Sequence, residues 1–335
     1  MSQSSSSYSI GVDLGGTQIK AGLVLSTGEV VDNSLSKPSQ ANGGASIVSG
    51  NIASVIHQLI RTNSHLLLED LVGIGIGTPG LIIPDRGIVH FSPNFDGWHD
   101  IPLVDLVRQK LDAQLTHLPI HIENDGNAMA YGELRQGAGV GMKDVICLTL
   151  GTGVGGGIIL DGQIFHGSRY VGAELGHTTI FGHGRLCGCG NYGCLEAYVG
   201  RDQIVERTRA KIIKSASCSP ILEAQMDSLT PKIIAEAAAK GDELAIEIFT
   251  ETARYIGIAL TSFAHILNPQ MAIIGGGVSS AGEKLLFEPI RAEVRKRAMD
   301  TNAESLQIVS AKLGNQAGLV GAAMLAQQNQ PSQSK

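Results

Sequence analysis

The alternation of hydrophobic and polar residues switches repeatedly between a strand period and a helical period, which is typical of an α/β protein. Near the start, SIGVDL, IKAGLVL and EVVDNSL read as strands, and a Thr27-Gly28 turn separates the last two. The first part of the chain predicts, in order, antiparallel strands within 9–35, a helix at 45–60, a strand at 71–80, a hairpin at 81–91, a helix at 104–111 and a strand at 119–125.

The second half of the chain repeats the strand layout of the first. Residues 144–162 read as strand, glycine turn, strand and Asp-Gly turn, much as the opening segment does. This echo predicts an internal repeat of the fold. The remainder is predicted to be helical until a strand at 271–275, followed by a short strand within 305–313 and a final amphipathic helix at 318–328.

Composition limits the class of protein. The chain has 335 residues, 43% of them hydrophobic, which is enough for a large core and suggests two domains. No apolar run is long enough to span a bilayer. The formal net charge of −6 and the lack of a Lys/Arg cluster argue against nucleic acid as a partner. Nothing at the start resembles a signal peptide, so the cytoplasm is the expected compartment.

Four side chains in one glycine-rich stretch are suited to bind a metal ion. His177, Cys187, Cys189 and Cys194 are the ligand types of a tetrahedral zinc site, and glycines between the cysteines allow tight turns. A disulfide with a spare thiol is the alternative, but a reduced compartment disfavours it. His183 lies nearer the cysteines in sequence than His177 does. The stretch therefore predicts a structural zinc knuckle over 177–196.

The two remaining cysteines have ordinary surroundings. Cys147 lies within the apolar run VICLTL, and Cys218 lies in a polar segment. We expect a core thiol and a loop thiol, respectively.

Three glycine turns, each after an apolar strand, carry candidate nucleotide chemistry. The first includes Asp13, the second Thr152, and the third leads from a strand toward a helix. None matches a Walker A loop or a dinucleotide-binding fingerprint. Backbone amides and threonine hydroxyls in facing turns can still donate to phosphate oxygens, and an aspartate can hold Mg²⁺ through water. The turns comprise Asp13, Gly15, Gly16 and Thr17; Gly151, Thr152 and Gly153; and Gly275, Gly276 and Gly277.

Asp125 is the candidate catalytic base. It follows a predicted strand and opens a helical stretch, so it could equally be an N-cap that accepts from the first helical amides. Phosphoryl transfer needs a carboxylate that orients the attacking hydroxyl and accepts its proton. A helix N-terminus favours the ionised form of that carboxylate. Both roles are compatible.

Taken together, these motifs resemble those of the ROK family of sugar kinases, within the actin/hexokinase/Hsp70-like ATPase fold. DLGGT at 13–17 resembles phosphate-1, NDGNA at 124–128 the catalytic segment, and LGTGVGGG at 150–157 phosphate-2. ELGH at 174–177 and the cysteine motif up to Glu196 resemble the sugar and zinc signature, and IGGGV at 274–278 the adenosine motif. The match covers nearly all of residues 9–327 and lies nearest to bacterial-type glucokinases.

The resemblance implies a two-lobed α/β kinase whose cleft closes on sugar and ATP with Mg²⁺. It implies that Lys20 joins the three glycine turns in nucleotide binding. The polar ends of the chain predict a disordered tail at 1–9 and a tail at 329–335, and the pattern of elements ends the first domain at about residue 123. The predicted lobes are a small one at 10–123 with 313–328 and a large one at 124–312 with the zinc knuckle.

The sugar site is implied on the same basis, since sugar hydroxyls need side chains that donate and accept. Glu174, His177 and Glu196 would face the 1- and 2-hydroxyl end, and Asp125 the hydroxyl that is phosphorylated. His177 would bind zinc through one ring nitrogen and the sugar through the other, so that zinc shapes the sugar site but not the nucleotide site. The implied sugar-binding residues are Gly80, Asn94, Asn124, Asp125, Glu174, His177 and Glu196.

The expected function is ATP-dependent phosphorylation of the 6-hydroxyl of glucose. An N-acetylmannosamine or N-acetylglucosamine kinase is the alternative, because one architecture serves both. A sugar-responsive repressor of the same family is disfavoured, since only the short tail at 1–9 precedes the predicted small lobe. The resemblance also suggests a homodimer or a dimer of dimers.

Overall fold

The computed structural model describes residues 7–64, 67–214 and 219–328. Their contacts divide the chain into two compact units. Unit 1 comprises the described residues within 1–141, 163–173 and 315–335, and unit 2 those within 142–162 and 174–314. The lobe limits predicted from the sequence differ from these units at 124–141 and 163–173, which they place in the large lobe, and at 313–314, which they place in the small lobe. Those limits stay a prediction.

Strands and helices alternate along both units, as the periodicity predicts. The strands are β1 (Tyr8–Leu14), β2 (Gln18–Leu25), β3 (Val30–Pro38), β4 (Leu71–Thr78), β5 (Leu81–Ile83), β6 (Ile88–Phe91), β7 (His99–Ile101), β8 (Ile120–Asn124), β9 (Val145–Leu150), β10 (Val154–Leu160), β11 (Gln163–Ile164), β12 (Met271–Gly275) and β13 (Gln307–Ser310). The α-helices are α1 (Ala45–Thr62), α2 (Leu103–Arg108), α3 (Asp125–Gln136), α4 (Glu196–Val199), α5 (Arg201–Lys214), α6 (Pro220–Glu223), α7 (Pro231–Ala239), α8 (Glu243–Leu267), α9 (Glu288–Arg297), α10 (Asp300–Ser305) and α11 (Ala317–Gln328).

Unit 1 is built on a five-stranded sheet in the order β3-β2-β1-β4-β8. The first three strands are antiparallel neighbours, whereas β1, β4 and β8 run parallel. A smaller antiparallel sheet has the order β5-β6-β7. The core includes Ile10, Val12, Ile74 and Ile76 from the central strands, all fully buried. The parallel arrangement brings the carboxyl ends of β1, β4 and β8 to one edge.

Glycines allow α11 to pack directly onto the central strands and onto α3. A Cβ built on Gly11 of β1 would overlap the carbonyl of Leu319, and one on Gly75 of β4 would overlap that of Ala322. Gly321 of α11 lies equally close to α3. These glycines therefore serve close packing of backbone on backbone. None of the three belongs to the glycine turns that are predicted to bind nucleotide.

Unit 2 repeats the topology of unit 1, as the sequence predicted. Its strands pair in the order β10-β9-β12-β13. The β9–β10 hairpin is antiparallel, and β9, β12 and β13 are parallel. The same succession of one antiparallel and two parallel pairings occurs at β2-β1-β4-β8 in unit 1. The internal repeat is confirmed at the level of strand order.

Three details of the sequence prediction are corrected. The first strand begins at Tyr8, so the tail predicted at 1–9 is too long by at least two residues. Residues 165–195 are not helical, apart from the 3₁₀ turn Leu175–His177, because closely spaced glycines and the cysteine turns interrupt the backbone hydrogen-bond ladder. Helix α11 is not amphipathic: it is buried on nearly all faces between the sheet and α3. Residues 1–6 and 329–335 of the predicted tails, and Cys218, lie outside the described residues.

Within the described residues, every helix is too short or too polar to cross a lipid bilayer.

Candidate functional site

The junction between β8 and α3 in unit 1 presents the candidate base. Asn124, not Asp125, is the N-cap: its Oδ1 accepts from the amides of Gly126 at 2.9 Å and Asn127 at 3.1 Å. Its Nδ2 donates to the carbonyl of Gly80 at 3.0 Å. The N-cap role considered for Asp125 is therefore wrong. Asp125 is the first helical residue, with an exposed side chain whose Oδ1 accepts from the Gly126 amide at 2.9 Å.

A buried carboxylate lies directly behind this junction. Glu123 is 1% exposed. Its Oε1 accepts from the Asn124 amide at 2.9 Å and from Asn127 Nδ2 at 3.0 Å, while Oε2 bonds His166 Nε2 at 2.8 Å. His121 Nε2 lies 4.0 Å from the same carboxylate. Each oxygen of Glu123 is therefore occupied in holding the strand end, the helix start and the 163–173 segment of unit 1.

The two histidines near Glu123 have opposite pKa shifts. The hydrogen bond to Glu123 raises the pKa of His166, against the effect of its partial burial. Burial lowers the pKa of His121, although the charge of Glu123 opposes that shift. Compared with a free imidazole, the surroundings therefore favour the charged form of His166 and the neutral form of His121.

The turn between β1 and β2 holds the phosphate-1 residues. It closes with a hydrogen bond from the Gly15 amide to the Gln18 carbonyl at 2.9 Å. Asp13 stands opposite Lys20 in the β1–β2 register. Burial raises the pKa of Asp13, and the charge of Lys20 partly counters this. The structure also brings Asn94, a predicted sugar residue, against Gly16: a Cβ on Gly16 would lie 3.5 Å from that of Asn94.

In unit 2 the second and third glycine motifs lie against each other. The Gly151–Gly153 turn joins β9 to β10 and closes with a bond from the Gly151 amide to the Gly153 carbonyl at 2.9 Å. Gly276 follows β12 with φ +87°, and a Cβ there would overlap the backbone of Leu150. Only glycine adopts this conformation at such a close approach without strain.

The zinc prediction is supported by geometry. One ring nitrogen of His177 and the sulfurs of Cys187, Cys189 and Cys194 all lie within 4.8 Å of one another, and His177 Nδ1 is 3.7 Å from Cys187 Sγ. Cys189 and Cys194 sulfurs are 3.7 Å apart. Two sulfurs bound to one tetrahedral zinc at about 2.3 Å are separated by about 3.8 Å, whereas a disulfide needs about 2.05 Å. The residues fit a structural zinc ion, and the disulfide alternative is not observed among them.

Local structure explains how the ligands converge. Gly190 and Gly193 have positive φ, and the Cys187 amide bonds the Asn191 carbonyl at 2.8 Å across the cysteine turn. His183 is exposed and outside the cluster, so His177 is the histidine of the set. Burial raises the pKa of the Cys187 thiol to about 12. A bound cation would reverse that shift, since metal ligation deprotonates a thiol.

Of the predicted sugar residues in unit 2, Glu196 has the most specific contacts. It begins α4, and its Oε2 accepts from the amide of Val154 at 2.9 Å, at the end of the Gly151–Gly153 turn. Its Oε1 lies 3.6 Å from Cys187 Sγ. Glu174 is exposed and precedes the 3₁₀ turn that ends at His177. With Nδ1 toward the thiols, His177 keeps Nε2 for another partner.

Sequence reasoning missed Glu123 and His166. The available signal was a glutamate directly before the Asn-Asp pair at the end of an otherwise apolar strand. His166 gave no signal, because its partner is 43 positions away in the chain.

The chain is similar along nearly its whole length to proteins of one family. The profile of the ROK family matches residues 9–329. The chain is 36% identical over 328 residues to the glucokinase of Halalkalibacterium halodurans, covering 97% of each chain. A ROK family glucokinase from Streptomyces griseus, solved in complex with glucose and AMPPNP, is 37% identical with a TM-score of 0.79, covering 96% of this chain and all of that one.

A regulator is also similar, over a smaller part. The xylose repressor of Caldicellulosiruptor bescii is 34% identical over 253 residues, which are 76% of this chain and 62% of the repressor.

Proposed function

The chain belongs to the ROK family, and we propose that it is an ATP-dependent hexose kinase that transfers the γ-phosphoryl group to the 6-hydroxyl of glucose. The near-complete match to glucokinases, at 36% and 37% identity, supports the reaction and the substrate. The observation that carries the proposal within the structure is Asp125, an exposed carboxylate at the first position of α3.

Asp125 is assigned the role of general base. It orients the attacking hydroxyl and accepts its proton as the bond to phosphorus forms. Because Asn124 caps the helix, the Asp125 carboxylate is not needed as the N-cap. The N-terminal dipole of α3 favours its ionised state.

The nucleotide is assigned to the three glycine motifs. The amides of Gly15 and Gly151 close their own turns, so other backbone amides of the motifs donate to phosphate oxygens, and the hydroxyls of Thr17 and Thr152, both exposed, can add to them. Asp13 of phosphate-1 is acidic, and the basic Lys20 stands opposite it on β2. Asp13 is the residue assigned to hold Mg²⁺ through water, and that ion would supply positive charge against the charge that develops during transfer.

The sugar is assigned to hydrogen-bonding groups of each unit. Unit 1 offers Asn94, Asn124, Asp125 and the backbone at Gly80, where Asn124 is already bonded to the Gly80 carbonyl. Unit 2 offers Glu174, His177 Nε2 and Glu196. An N-acetylhexosamine kinase is the second candidate, since the same groups could accept a 2-acetamido sugar.

Two further features remain predictions. A cytoplasmic location is supported by a thiol cluster that must stay reduced to bind zinc. A homodimer or dimer of dimers rests on family resemblance.

A coupled assay of ADP release tests the proposal across glucose, mannose, fructose, N-acetylglucosamine and N-acetylmannosamine. The highest kcat/KM is expected for glucose. A preference for an N-acetylhexosamine would select the second candidate, and no sugar-dependent ADP release from folded, zinc-loaded protein would overturn the assignment as a kinase.

A further inference from the structure

We propose that Glu196 is a positioning residue for the phosphate-2 turn, in addition to its assigned contact with sugar. It holds the Gly151–Gly153 turn in the shape that receives nucleotide phosphates, and so links the zinc knuckle to nucleotide binding. The inference rests on the proposed nucleotide role of this turn.

Glu196 contacts the phosphate-2 turn directly. Glu196 Oε2 accepts from the Val154 amide at 2.9 Å, where the turn re-enters β10. The carboxylate also lies against the preceding residue, since a Cβ on Gly153 would overlap Glu196 Oε2. Hydrogen bonds from an amide to an ionised carboxylate are among the stronger ones in proteins. One end of the turn is therefore fixed by this side chain.

The chain after Glu196 contacts the remaining residues of the turn. The Arg201 amide donates to the Gly151 carbonyl at 2.9 Å, at the other end of the turn. Gly200 lies between these contacts, and a Cβ there would be 3.0 Å from the Thr152 carbonyl oxygen. The turn itself is glycine-rich and half-exposed to exposed before Val154. Such a backbone loses much entropy when it is ordered, so outside contacts matter for its shape.

Glu196 also contacts the zinc knuckle. Glu196 Oε1 lies 3.6 Å from Cys187 Sγ. The Ala197 amide bonds the Cys194 carbonyl at 3.1 Å, which fixes the start of α4 to the last cysteine. One carboxylate oxygen thus faces a cysteine of the knuckle while the other holds the turn. The Glu196 side chain therefore connects the knuckle to the end of the phosphate-2 turn, and the backbone at Arg201 connects the same segment to its start.

The test measures binding of Mg²⁺-AMPPNP by calorimetry in the absence of sugar, so that the sugar role of Glu196 does not enter. Glu196→Ala removes the acceptor for Val154, and we expect the Kd to rise on the order of tenfold, the loss of about one strong hydrogen bond. Glu196→Gln keeps an acceptor oxygen and should stay within about threefold of wild type. Asp202→Ala, which removes an exposed carboxylate from the same region, is the matched control and should bind as wild type does.

Wild-type affinity in Glu196→Ala would overturn the proposal, and so would equal losses in Glu196→Gln and Glu196→Ala, because an acceptor at this position would then not matter. Circular dichroism and zinc content check that each variant is folded. If Glu196→Ala does not fold, Glu196→Leu keeps the volume and removes both oxygens. A wild-type protein that binds AMPPNP but phosphorylates no hexose would contradict the proposed function while leaving this inference intact.

Discussion

His166 Nε2 lies 2.8 Å from Oε2 of the buried Glu123 carboxylate, one residue before the N-cap of α3. This pair joins the 163–173 segment to the strand end that carries Asn124 and Asp125. The charge on His166 should therefore contribute to the stability of unit 1, and the contribution should depend on pH.

The sign of that dependence follows from the pKa shifts. The pKa of His166 is raised by Glu123, so its stabilisation is fully present below the unfolded value of about 6.5 and is lost as pH rises through the folded pKa. The pKa of His121 is lowered by burial, so the neutral ring of His121 costs stability only when the pH drops below about 6.5. Asp85 adds a further negative charge near both histidines. Above about pH 6.5, His166 is the histidine of this cluster that changes stability.

We expect His166→Gln to reduce the free energy of unfolding by about 1.5–3 kcal/mol near pH 6, the range for a hydrogen bond to a charged group. The difference from wild type should shrink as pH rises through the raised pKa. Urea unfolding of both proteins from pH 6 to pH 9 measures this. A constant difference over that range would show that the charge on His166 is not involved.

The role of Asp125 is tested by Asp125→Asn. Turnover should fall by roughly 10²–10⁴, because the amide cannot accept the proton of the attacking hydroxyl. The variant should still fold and contain zinc, since Asn124 supplies the helix cap, and it should still bind glucose through the other assigned sugar residues. Steady-state kinetics with calorimetric glucose binding checks both, and a kcat within a few-fold of wild type would remove the assignment.

Substitution of the N-cap Asn124 tests what the cap of α3 contributes to stability and to catalysis. Asn124→Ala should cost about 1 kcal/mol, as is typical of a lost N-cap. It should also lower kcat, because Asp125 is the next residue and the bond to Gly80 disappears.

Asp242→Ala is the control for Asn124→Ala. Asp242 caps α8 by accepting from Ala245 at 2.9 Å. Because Asp242 Oδ2 also accepts from the hydroxyl of the buried Ser219 at 2.5 Å, we expect at least as large a loss of stability, without a change in kcat. If both variants lowered kcat equally, a general loss of stability would explain the effect of Asn124.

Loss of the knuckle metal should affect sugar binding. Wild-type protein is expected to contain about one zinc per chain by elemental analysis, and Cys189→Ser should release it. Sugar affinity should fall sharply because His177 loses the ion that fixes its orientation. The sequence predicts little change in nucleotide affinity, whereas the Glu196–Val154 bond implies that nucleotide affinity also falls, by less than sugar affinity does. Unchanged sugar affinity in folded, zinc-free protein would contradict the assignment.

Two glycines of the nucleotide motifs should respond differently to alanine. A Cβ on Gly151 meets no atom within 4 Å, so Gly151→Ala should keep stability within about 0.5 kcal/mol and weaken ATP if phosphate approaches the backbone there. Gly276 has φ +87° against the Leu150 backbone, so Gly276→Ala should destabilise by about 1–3 kcal/mol before any ligand is added. Thermal unfolding and the KM for ATP distinguish the two, and equal stability of both variants would contradict this account.

Much of this protein can be read from its sequence where the determining contacts are short in range. The periodicity predicted the β1–β3 and β9–β10 hairpins, because alternation of side chains and glycine turns is local. The zinc ligands were recognisable for the same reason: Cys187, Cys189 and Cys194 lie within one tight turn, and His177 lies only ten residues before Cys187.

Only the tertiary structure decided which residues act through distant partners. Asn124 and Asp125 are both good caps, and backbone direction at the end of β8 determines which one accepts from the helix amides. Helix α11 reads as amphipathic until Gly11 and Gly75 allow the sheet to approach it on one side while α3 covers another. The bonds from Glu123 to His166 and from Glu196 to Val154 span 43 and 42 positions, and no local pattern encodes them. Such pairs form because packing brings two chain segments together, so their partners are specified by the whole fold and not by the neighbouring sequence.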